Sequence, residues 1–160
     1  MKKILMMAVA LMMAVTVSAQ SEKGKMALGG NFNIGYDDIL TNFGIGPKFS
    51  YNFIDHLRGE ASFNYYFEKD NWTEWDFNFN LHYVFDIKQK NGLYPLAGLT
   101  IMGLKWKAGG YSIKDTNAGF NIGAGWEYRF TDHCKAGIEA KYQWADGGRL
   151  VLSLGAAYIF

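Results

Sequence analysis

Three histidines, one cysteine and one loop serine are the residues of this chain whose chemistry could support catalysis. His56 and His133 fall in stretches typical of turns, Cys134 directly follows His133, and Ser112 lies in the polar stretch 107–116, far in sequence from any histidine. Nucleophilic catalysis needs a base within hydrogen-bonding reach of the nucleophile. This spacing therefore predicts no catalytic residue, and we interpret Cys134 as a small apolar side chain at the start of a strand.

His82 is the histidine with the most interesting surroundings. A hairpin register in which paired residue numbers sum to 142 places it opposite Glu60. A buried histidine beside a carboxylate could titrate near neutral pH, but we interpret this pair as structural. The sequence has no spacing typical of metal ligands, no phosphate-binding loop and no nucleotide fingerprint. We therefore expect no metal and no cofactor.

These residues lie in a chain that alternates apolar and polar positions almost from Lys25 onward, which is the pattern of strands with one apolar face. Seven breaks carry turn residues such as Asn91-Gly92. The breaks predict eight strands, at 25–36, 42–53, 58–68, 73–86, 93–106, 117–130, 134–144 and 149–160. Most reach the ~9–11 residues with which a tilted strand crosses a bilayer. We predict an all-β fold, an eight-stranded antiparallel up-and-down transmembrane β-barrel over residues 20–160.

Residues 1–19 are predicted to be a cleaved signal peptide. Lys2 and Lys3 precede an apolar run from Ile4 to Val15, and Val17-Ser18-Ala19 has the small residues of a cleavage site. The run is shorter than the ~20 residues of a transmembrane helix. Cleavage would reduce Lys+Arg from 16 to 14 against 15 Asp+Glu, a formal charge of −1. This balance, without a basic cluster, excludes nucleic acid as an expected partner.

The apolar side of the predicted strands is expected to face lipid and the polar side the barrel axis. Of the 27 aromatic residues, all but Tyr66, Trp72 and Tyr111 are placed on the apolar side. The interior of an eight-stranded barrel is just wide enough for side chains to fill it, so it cannot hold so many rings. A soluble barrel with an apolar interior is therefore not the favoured interpretation.

Tyrosines and tryptophans concentrate toward the predicted strand ends, where aromatic girdles lie at the level of lipid headgroups. One strand, 93–106, is apolar on both sides. We set its phase by placing Tyr94 and Trp106 outside, which puts Lys105 inside the barrel.

Charged side chains at the inward positions form a balanced set of seven cations and seven carboxylates. Unpaired charges are costly in a narrow bore, so we expect these groups to pair across strands and fill it. The predicted lumen charge network consists of Lys48, Arg58, Glu60, Glu68, Asp76, His82, Lys105, Glu127, Arg129, Lys135, Glu139, Lys141 and Arg149, with Glu74 and Asp86 as further carboxylates. The alternative is that the charges line a thin water column and select ions.

The C-terminal segment carries a polar residue, a glycine two positions on, and two aromatic residues in alternation, as Ser153, Gly155, Tyr158 and Phe160. In this pattern the chain resembles bacterial outer-membrane barrels, and in architecture it is most similar to small OmpA/OmpX-like barrel domains. The resemblance implies a location in the outer membrane of a Gram-negative envelope, with both termini at the periplasmic side. It also implies that the barrel-assembly machinery reads this segment as an assembly signal, with periplasmic chaperones as partners during biogenesis.

The leading functional hypothesis is a monomeric, porin-like integral protein with a structural, non-enzymatic role, surrounded by outer-membrane lipids and with an ion-paired, plugged lumen. A narrow channel for small solutes or ions is the first alternative, motivated by the charged lumen. A lipid-A-modifying enzyme is the second, because some small outer-membrane barrels have that activity. The residues themselves name no ligand.

Overall fold

A computed structural model describes residues 22–37, 41–69, 72–87, 90–108, 111–145 and 147–160. Within these residues every regular element is a strand, and no helix has the length and apolar character of a membrane span. The predicted signal peptide, 1–19, lies outside the described residues. The strands are β1 (Met26–Tyr36), β2 (Thr41–Ile54), β3 (Leu57–Lys69), β4 (Trp72–Tyr83), β5 (Phe85–Ile87), β6 (Asn91–Ala108), β7 (Tyr111–Arg129), β8 (Cys134–Trp144) and β9 (Arg149–Ile159).

The strands form one closed antiparallel barrel. They are hydrogen-bonded in the order β4-β3-β2-β1-β9-β8-β7-β6-β5, and β4 also pairs with β6, which completes the ring. The strands β4 and β5 form a single wall strand interrupted at Val84, whose backbone N–H donates to the His56 carbonyl oxygen at 2.7 Å. The barrel therefore has eight wall strands, as the sequence predicted.

The two ends of the barrel are distinguished by the chain termini. The first residues of β1 pair with the last residues of β9, as in Ala27 opposite Ile159. The start of β1 and the end of β9 therefore lie at the same end of the barrel. We call this the terminal end, and we call the opposite end, which holds the turns between β1 and β2 and between β6 and β7, the far end.

The burial pattern is inverted relative to that of a soluble protein. Leu28, Phe49, Phe79, Leu99 and Phe120 are outward and exposed, whereas the fully buried side chains include asparagines and ionisable residues. Period-two alternation produces this arrangement, because successive side chains point to opposite faces of a strand. The apolar side of the wall faces outward, as predicted.

The phase of β6 differs from the prediction. The Tyr94 side chain is 3% exposed and points inward, whereas Leu99 is 64% exposed and points outward. Inward space at Gly125 explains this choice, because a side chain there would overlap the Tyr94 ring. Trp106 shares the inward phase and stacks at the far end against Trp72, with ring centroids 6.0 Å apart.

Two further predictions about the chain path were wrong. The stretch 107–116, which was predicted to connect the strands 93–106 and 117–130, is mostly strand: β6 continues to Ala108 and β7 begins at Tyr111. The register between β3 and β4 places Arg58, not Glu60, opposite His82. This two-residue slip moves His82 one inward position along the strand.

Candidate functional site: the barrel interior

Inward side chains fill the bore in three levels, because alternate residues of every wall strand point to the axis. The far-end cluster consists of Tyr66, Glu74, Asp76 and Arg149. The amide layer consists of Asn33, Ser62, Asn64, Asn78, Asn80, Thr100, Asn121, Gln143 and Ser153. The terminal-end cluster consists of Lys48, Arg58, Glu60, His82, Tyr94, Glu127, Lys135, Glu139 and Lys141.

In the far-end cluster one arginine binds two carboxylates. The Arg149 Nη1 donates to Glu74 Oε2 at 2.8 Å, and Nη2 donates to Asp76 Oδ2. The guanidinium lies over the Tyr66 ring at 4.3 Å, and the Tyr66 hydroxyl donates to Asp76 Oδ2 at 3.1 Å. Because three strands lie between β9 and β4 in either direction around the eight-stranded ring, the two strands are directly opposite and Arg149 spans the full width of the bore.

The amide layer joins the strands next to this cluster. The Asn64 Nδ2 donates to Asp76 Oδ1 at 2.7 Å, and Asn33 Nδ2 donates to Asn64 Oδ1 at 2.8 Å. The Ser153 hydroxyl donates to Asn33 Oδ1 at 2.6 Å, which returns the chain of hydrogen bonds to β9. A charged group and neutral amides thus form one continuous network across β9, β4, β3 and β1.

A second set of amides connects the other half of the wall. Two donors meet at Asn78 Oδ1: Gln143 Nε2 at 2.8 Å and Asn121 Nδ2 at 3.1 Å. The Asn121 Nδ2 also lies 2.9 Å from Asn80 Oδ1. These contacts link β8, β4 and β7 in the middle of the barrel.

In the terminal-end cluster lysines share carboxylates. The Lys48 Nζ lies 2.8 Å from Glu60 Oε2 and 3.5 Å from Glu139 Oε2. The Lys141 Nζ lies 3.4 Å from Glu139 Oε1, and the Tyr94 hydroxyl donates to Glu139 Oε2 at 3.1 Å. Glu139 therefore interacts with three side chains, each from a different strand.

An arginine organises the rest of this cluster. The Arg58 Nη1 donates to both oxygens of Glu127, at 2.9 and 2.8 Å, and the Lys135 Nζ lies 3.1 Å from Glu127 Oε2. The Arg58 guanidinium also lies 4.9 Å from the centroid of the Tyr94 ring, which stacks on the His82 ring at 4.6 Å. Two aromatic rings and a guanidinium thus stack on one another inside the bore.

The same arginine determines which nitrogen of His82 carries the proton. The Arg58 Nη2 lies 3.1 Å from His82 Nδ1, and a guanidinium can only donate hydrogen bonds. The Nδ1 atom must therefore accept, so the proton is on Nε2, 3.7 Å from Glu60 Oε2. The His82 ring is therefore neutral, with its proton on Nε2.

Glu60, His82 and Glu139 offer ligand atoms within 4.8 Å of one another, which raises the question of a metal centre. Metal binding needs a lone pair on the imidazole nitrogen, and His82 Nε2 holds a proton instead. The Lys48 ammonium already lies between the two glutamates. These three residues are therefore a poor fit to a metal ion.

The interior is not packed uniformly. A gap of about 40 Å³ lies in the terminal half, beside the small residues Ala27, Gly137, Gly155 and Ala157. A water molecule needs roughly 10–15 Å³ of such space, so the gap has room for a few waters. The Asn31 Oδ1 and Glu60 Oε1 atoms belong to residues that line it, and within the described residues neither has a hydrogen-bond partner.

Most of the predicted charge network is at the predicted inward positions, with one clear error. Lys105 belongs to the outward phase of β6, opposite Thr73 and Lys114, because the phase of that strand is reversed. The side chain of Glu68 lies outside the described residues. Arg129 lies with Lys25 and Lys135 around the mouth at the terminal end, where Lys25 forms an exposed pair with Glu22.

Three residues considered for catalysis lie in or beside the turns of the terminal end, where His56 Nδ1 is 3.7 Å from Asp86 Oδ2. The His56 Nδ1 lies 3.0 Å from the Val84 carbonyl oxygen, and its backbone φ of 70° forms the tight turn between β2 and β3. The His133 ring stacks on Tyr158 with centroids 5.5 Å apart. Cys134 is exposed at the start of β8. The fourth, Ser112, lies on β7, and its side chain is outside the described part.

The residues of the proposed assembly signal occupy both faces of β9. Ser153 is buried in the amide layer and Gly155 lies against Asn31, where a side chain would collide with its Oδ1. Tyr158 and Phe160 point outward and pack edge to face, with ring centroids 5.1 Å apart. The tyrosines and amides of the interior were not among the predicted site residues, although Asn78 and Asn80 alternate visibly with Phe77 and Phe79.

Comparisons with known proteins agree with this architecture. A family model described as the outer membrane protein beta-barrel domain matches residues 5–160. The chain belongs to this family. Members of the family are outer-membrane barrels, so the location that the sequence implied is confirmed at this level. A comparison with curated protein sequences finds no significant match.

Solved structures show the same fold at low sequence identity. The N-terminal β-barrel domain of Pseudomonas aeruginosa OprF is 18% identical, with a TM-score of 0.75, and covers 86% of this chain and 98% of its own. Ail of Yersinia pestis, the attachment invasion locus protein, is 20% identical, with a TM-score of 0.65 and coverage of 86% and 99%. Neisserial surface protein A is 17% identical, with a TM-score of 0.66 and coverage of 89% and 99%.

Proposed function

We propose that this outer-membrane barrel is a monomeric structural protein with a plugged, non-conducting lumen and no enzymatic activity. The observation that carries the proposal is the contact of Arg149 on β9 with Glu74 and Asp76 on β4, the strand directly across the bore. Two further ion pairs join strands three positions apart around the ring: Arg58 with Glu127, and Lys48 with Glu139. In both the far-end cluster and the terminal-end cluster, side chains from opposing walls thus meet near the barrel axis.

Conductance is the direct test. The full-length protein, purified and refolded in detergent, is inserted into planar bilayers, and we expect no discrete conductance steps. The matched variant Arg149→Ala removes the side chain that spans the bore and should produce either steps or increased leak. Discrete steps from the wild-type protein would instead support a narrow channel, for which the gap of about 40 Å³ in the terminal half is the favouring observation.

The proposal that the barrel is not an enzyme rests on the placement of the candidate residues. His82 is fully buried in the interior network, and His56 and His133 bind backbone carbonyl groups at the terminal end. We expect unchanged lipid A mass spectra when the protein is overexpressed in a Gram-negative host. A new lipid A mass that disappears on substitution of a histidine would support the enzymatic alternative.

We also propose that the terminal end faces the periplasm, and that the barrel-assembly machinery recognises β9 with help from periplasmic chaperones. Supporting this, Tyr158 and Phe160 are exposed on the outer face of the strand that closes the barrel against β1. Replacing Phe160 with alanine should reduce the amount of folded protein in the outer membrane, while Phe130→Ala, an exposed phenylalanine at the same end, serves as the control. Equal levels of the two variants would contradict an assembly role for Phe160.

A further inference from the structure

Two lysines face each other on the outward side of the β6–β7 hairpin. Lys105 pairs directly with Lys114 in the register of this hairpin, and both belong to the outward phase, in line with Leu99, Ile101 and Phe120. Directly opposed residues have their Cβ atoms about 4.5–5.5 Å apart, and like charges at such positions destabilise a sheet. An anion bound between the two ammonium groups would remove this repulsion.

The neighbouring residues supply no such anion among the side chains that are described. On the outward side, the register places Thr73, Gly103 and Thr116 next to the lysines, and all three are neutral. The carboxylate nearest in sequence, Asp115, belongs to the opposite phase. Its Oδ1 accepts from the Thr116 N–H at 2.9 Å and its Oδ2 accepts from Asn117 Nδ2 at 3.0 Å.

The lysines lie at the level where lipid headgroups begin. From Leu93 to Ile101 the outward residues of β6 are apolar, and eight steps of a strand tilted by about 40° rise roughly 20 Å, close to the ~25 Å apolar band of such barrels. Lys105 is four residues further, about 10 Å beyond Ile101 by the same arithmetic. The Trp75 side chain covers Gly103 between them, and indole rings are typical of this interface.

We propose that Lys105 and Lys114 together bind the phosphate of a lipid headgroup in the leaflet that the far end reaches. Two ammonium groups at this separation can donate to different oxygens of one phosphate, which removes their mutual repulsion. The acyl chains of the same lipid then lie against the apolar wall that begins at Ile101. This phosphate site lies on the outer wall of the barrel and is independent of whether the lumen is plugged.

The test uses phosphatidic acid, a lipid whose headgroup is a bare phosphate. The full-length protein is refolded in zwitterionic micelles, and backbone amide shifts are followed by NMR during a titration. We expect saturable shifts at residues 103–106 and 113–116. Each lysine near a membrane surface contributes about fivefold in affinity for an anionic lipid, so K105Q or K114Q should weaken binding about fivefold and the double variant about 25-fold.

Three controls separate this proposal from its rivals. K23Q/K90Q makes the same charge change at exposed positions of the terminal end and should leave the shifts at the far end unaltered, and K105R/K114R should retain binding. Dispersed spectra verify that each variant forms the barrel. The proposal is overturned if K105Q/K114Q binds as tightly as the wild type, or if phosphatidylcholine with the same acyl chains gives the same shifts. It is equally overturned if inorganic phosphate reproduces them at the same concentration, because the site would then serve a free anion.

Discussion

The two charge clusters of the interior both pair buried charges, but they differ in how many side chains take part. At the far end a single cation, Arg149, binds two carboxylates and stacks on Tyr66. At the terminal end four cations surround three carboxylates, and a gap of about 40 Å³ remains beside them. The far end therefore depends on one side chain, whereas the terminal end distributes its charges over several and has room for water.

Removing Arg149 should have the largest effect on stability. In the Arg149→Ala variant, Glu74 and Asp76 are left buried at the far end without their cation, and loss of one partner of a buried pair costs about 3–5 kcal/mol. Unfolding in urea from detergent or lipid, followed by the heat-modified gel shift, measures the change. Lys135→Ala removes a cation at the mouth of the terminal end and is the matched control. An equal loss in the free energy of unfolding for Lys135→Ala would contradict the contrast between the two clusters.

Glu139→Ala should be the next most damaging change. It leaves the Lys141 ammonium without its described carboxylate, but Lys48 retains Glu60 at 2.8 Å. Hydrogen bonds to charged groups contribute about 1.5–3 kcal/mol each, and water entering the gap should offset part of the loss, so we expect about 2–3 kcal/mol in the same unfolding assay. A loss equal to that of Arg149→Ala would show that the gap does not hydrate the cluster.

The two interior tyrosines allow a matched comparison of single hydroxyl groups. Tyr66→Phe removes a hydrogen bond to Asp76, a fully buried side chain. Tyr94→Phe removes a hydrogen bond to Glu139, which lines the gap in the terminal half. Both acceptors are carboxylates, and a hydrogen bond to a charged group contributes about 1.5–3 kcal/mol. We expect Tyr66→Phe to lower the free energy of unfolding by about that amount and Tyr94→Phe by less, and the reverse order would contradict the comparison.

The smallest effects should come from two asparagines on β1. Asn33 donates to Asn64 and accepts from Ser153, whereas Asn31 Oδ1 has no partner within the described residues and lines the gap. Asn33→Ala should therefore cost about 1–2 kcal/mol, and Asn31→Ala less than about 0.5 kcal/mol. Equal losses in parallel urea titrations would indicate that the gap is as well packed as the amide layer.

Alternation predicted the wall strands wherever one side of the strand was polar. In β4 the phenylalanines at 77 and 79 alternate with Asn78 and Asn80, and only one orientation buries the amides. In β6 both sides are apolar, so alternation carries no signal for the phase of this strand, and the phase depends on the room that Gly125 on β7 provides for Tyr94. The error for Lys105 follows directly from that strand.

Contacts across the bore could not be read from the sequence. The residues that would line the interior were largely identifiable, but which of them meet depends on the closure of the ring and the tilt of its strands. Arg149 and Asp76 are 73 residues apart and lie on strands that share no register. The His82–Glu60 contact was predicted from a hairpin register that is wrong by two residues. The two side chains are nevertheless close, because His82 Nε2 lies diagonally across the strands from Glu60 Oε2, at 3.7 Å.

The contact of Arg149 across the bore also has a mechanical consequence. A ring of strands held only by hydrogen bonds between neighbours can flatten into an ellipse under lateral pressure without breaking any of them. A strut between diametrically opposed strands resists that deformation, because either squeezing or stretching changes its length. The far end of this barrel should therefore keep a circular outline, so that the surrounding lipid, and not the protein, adjusts its shape at the boundary.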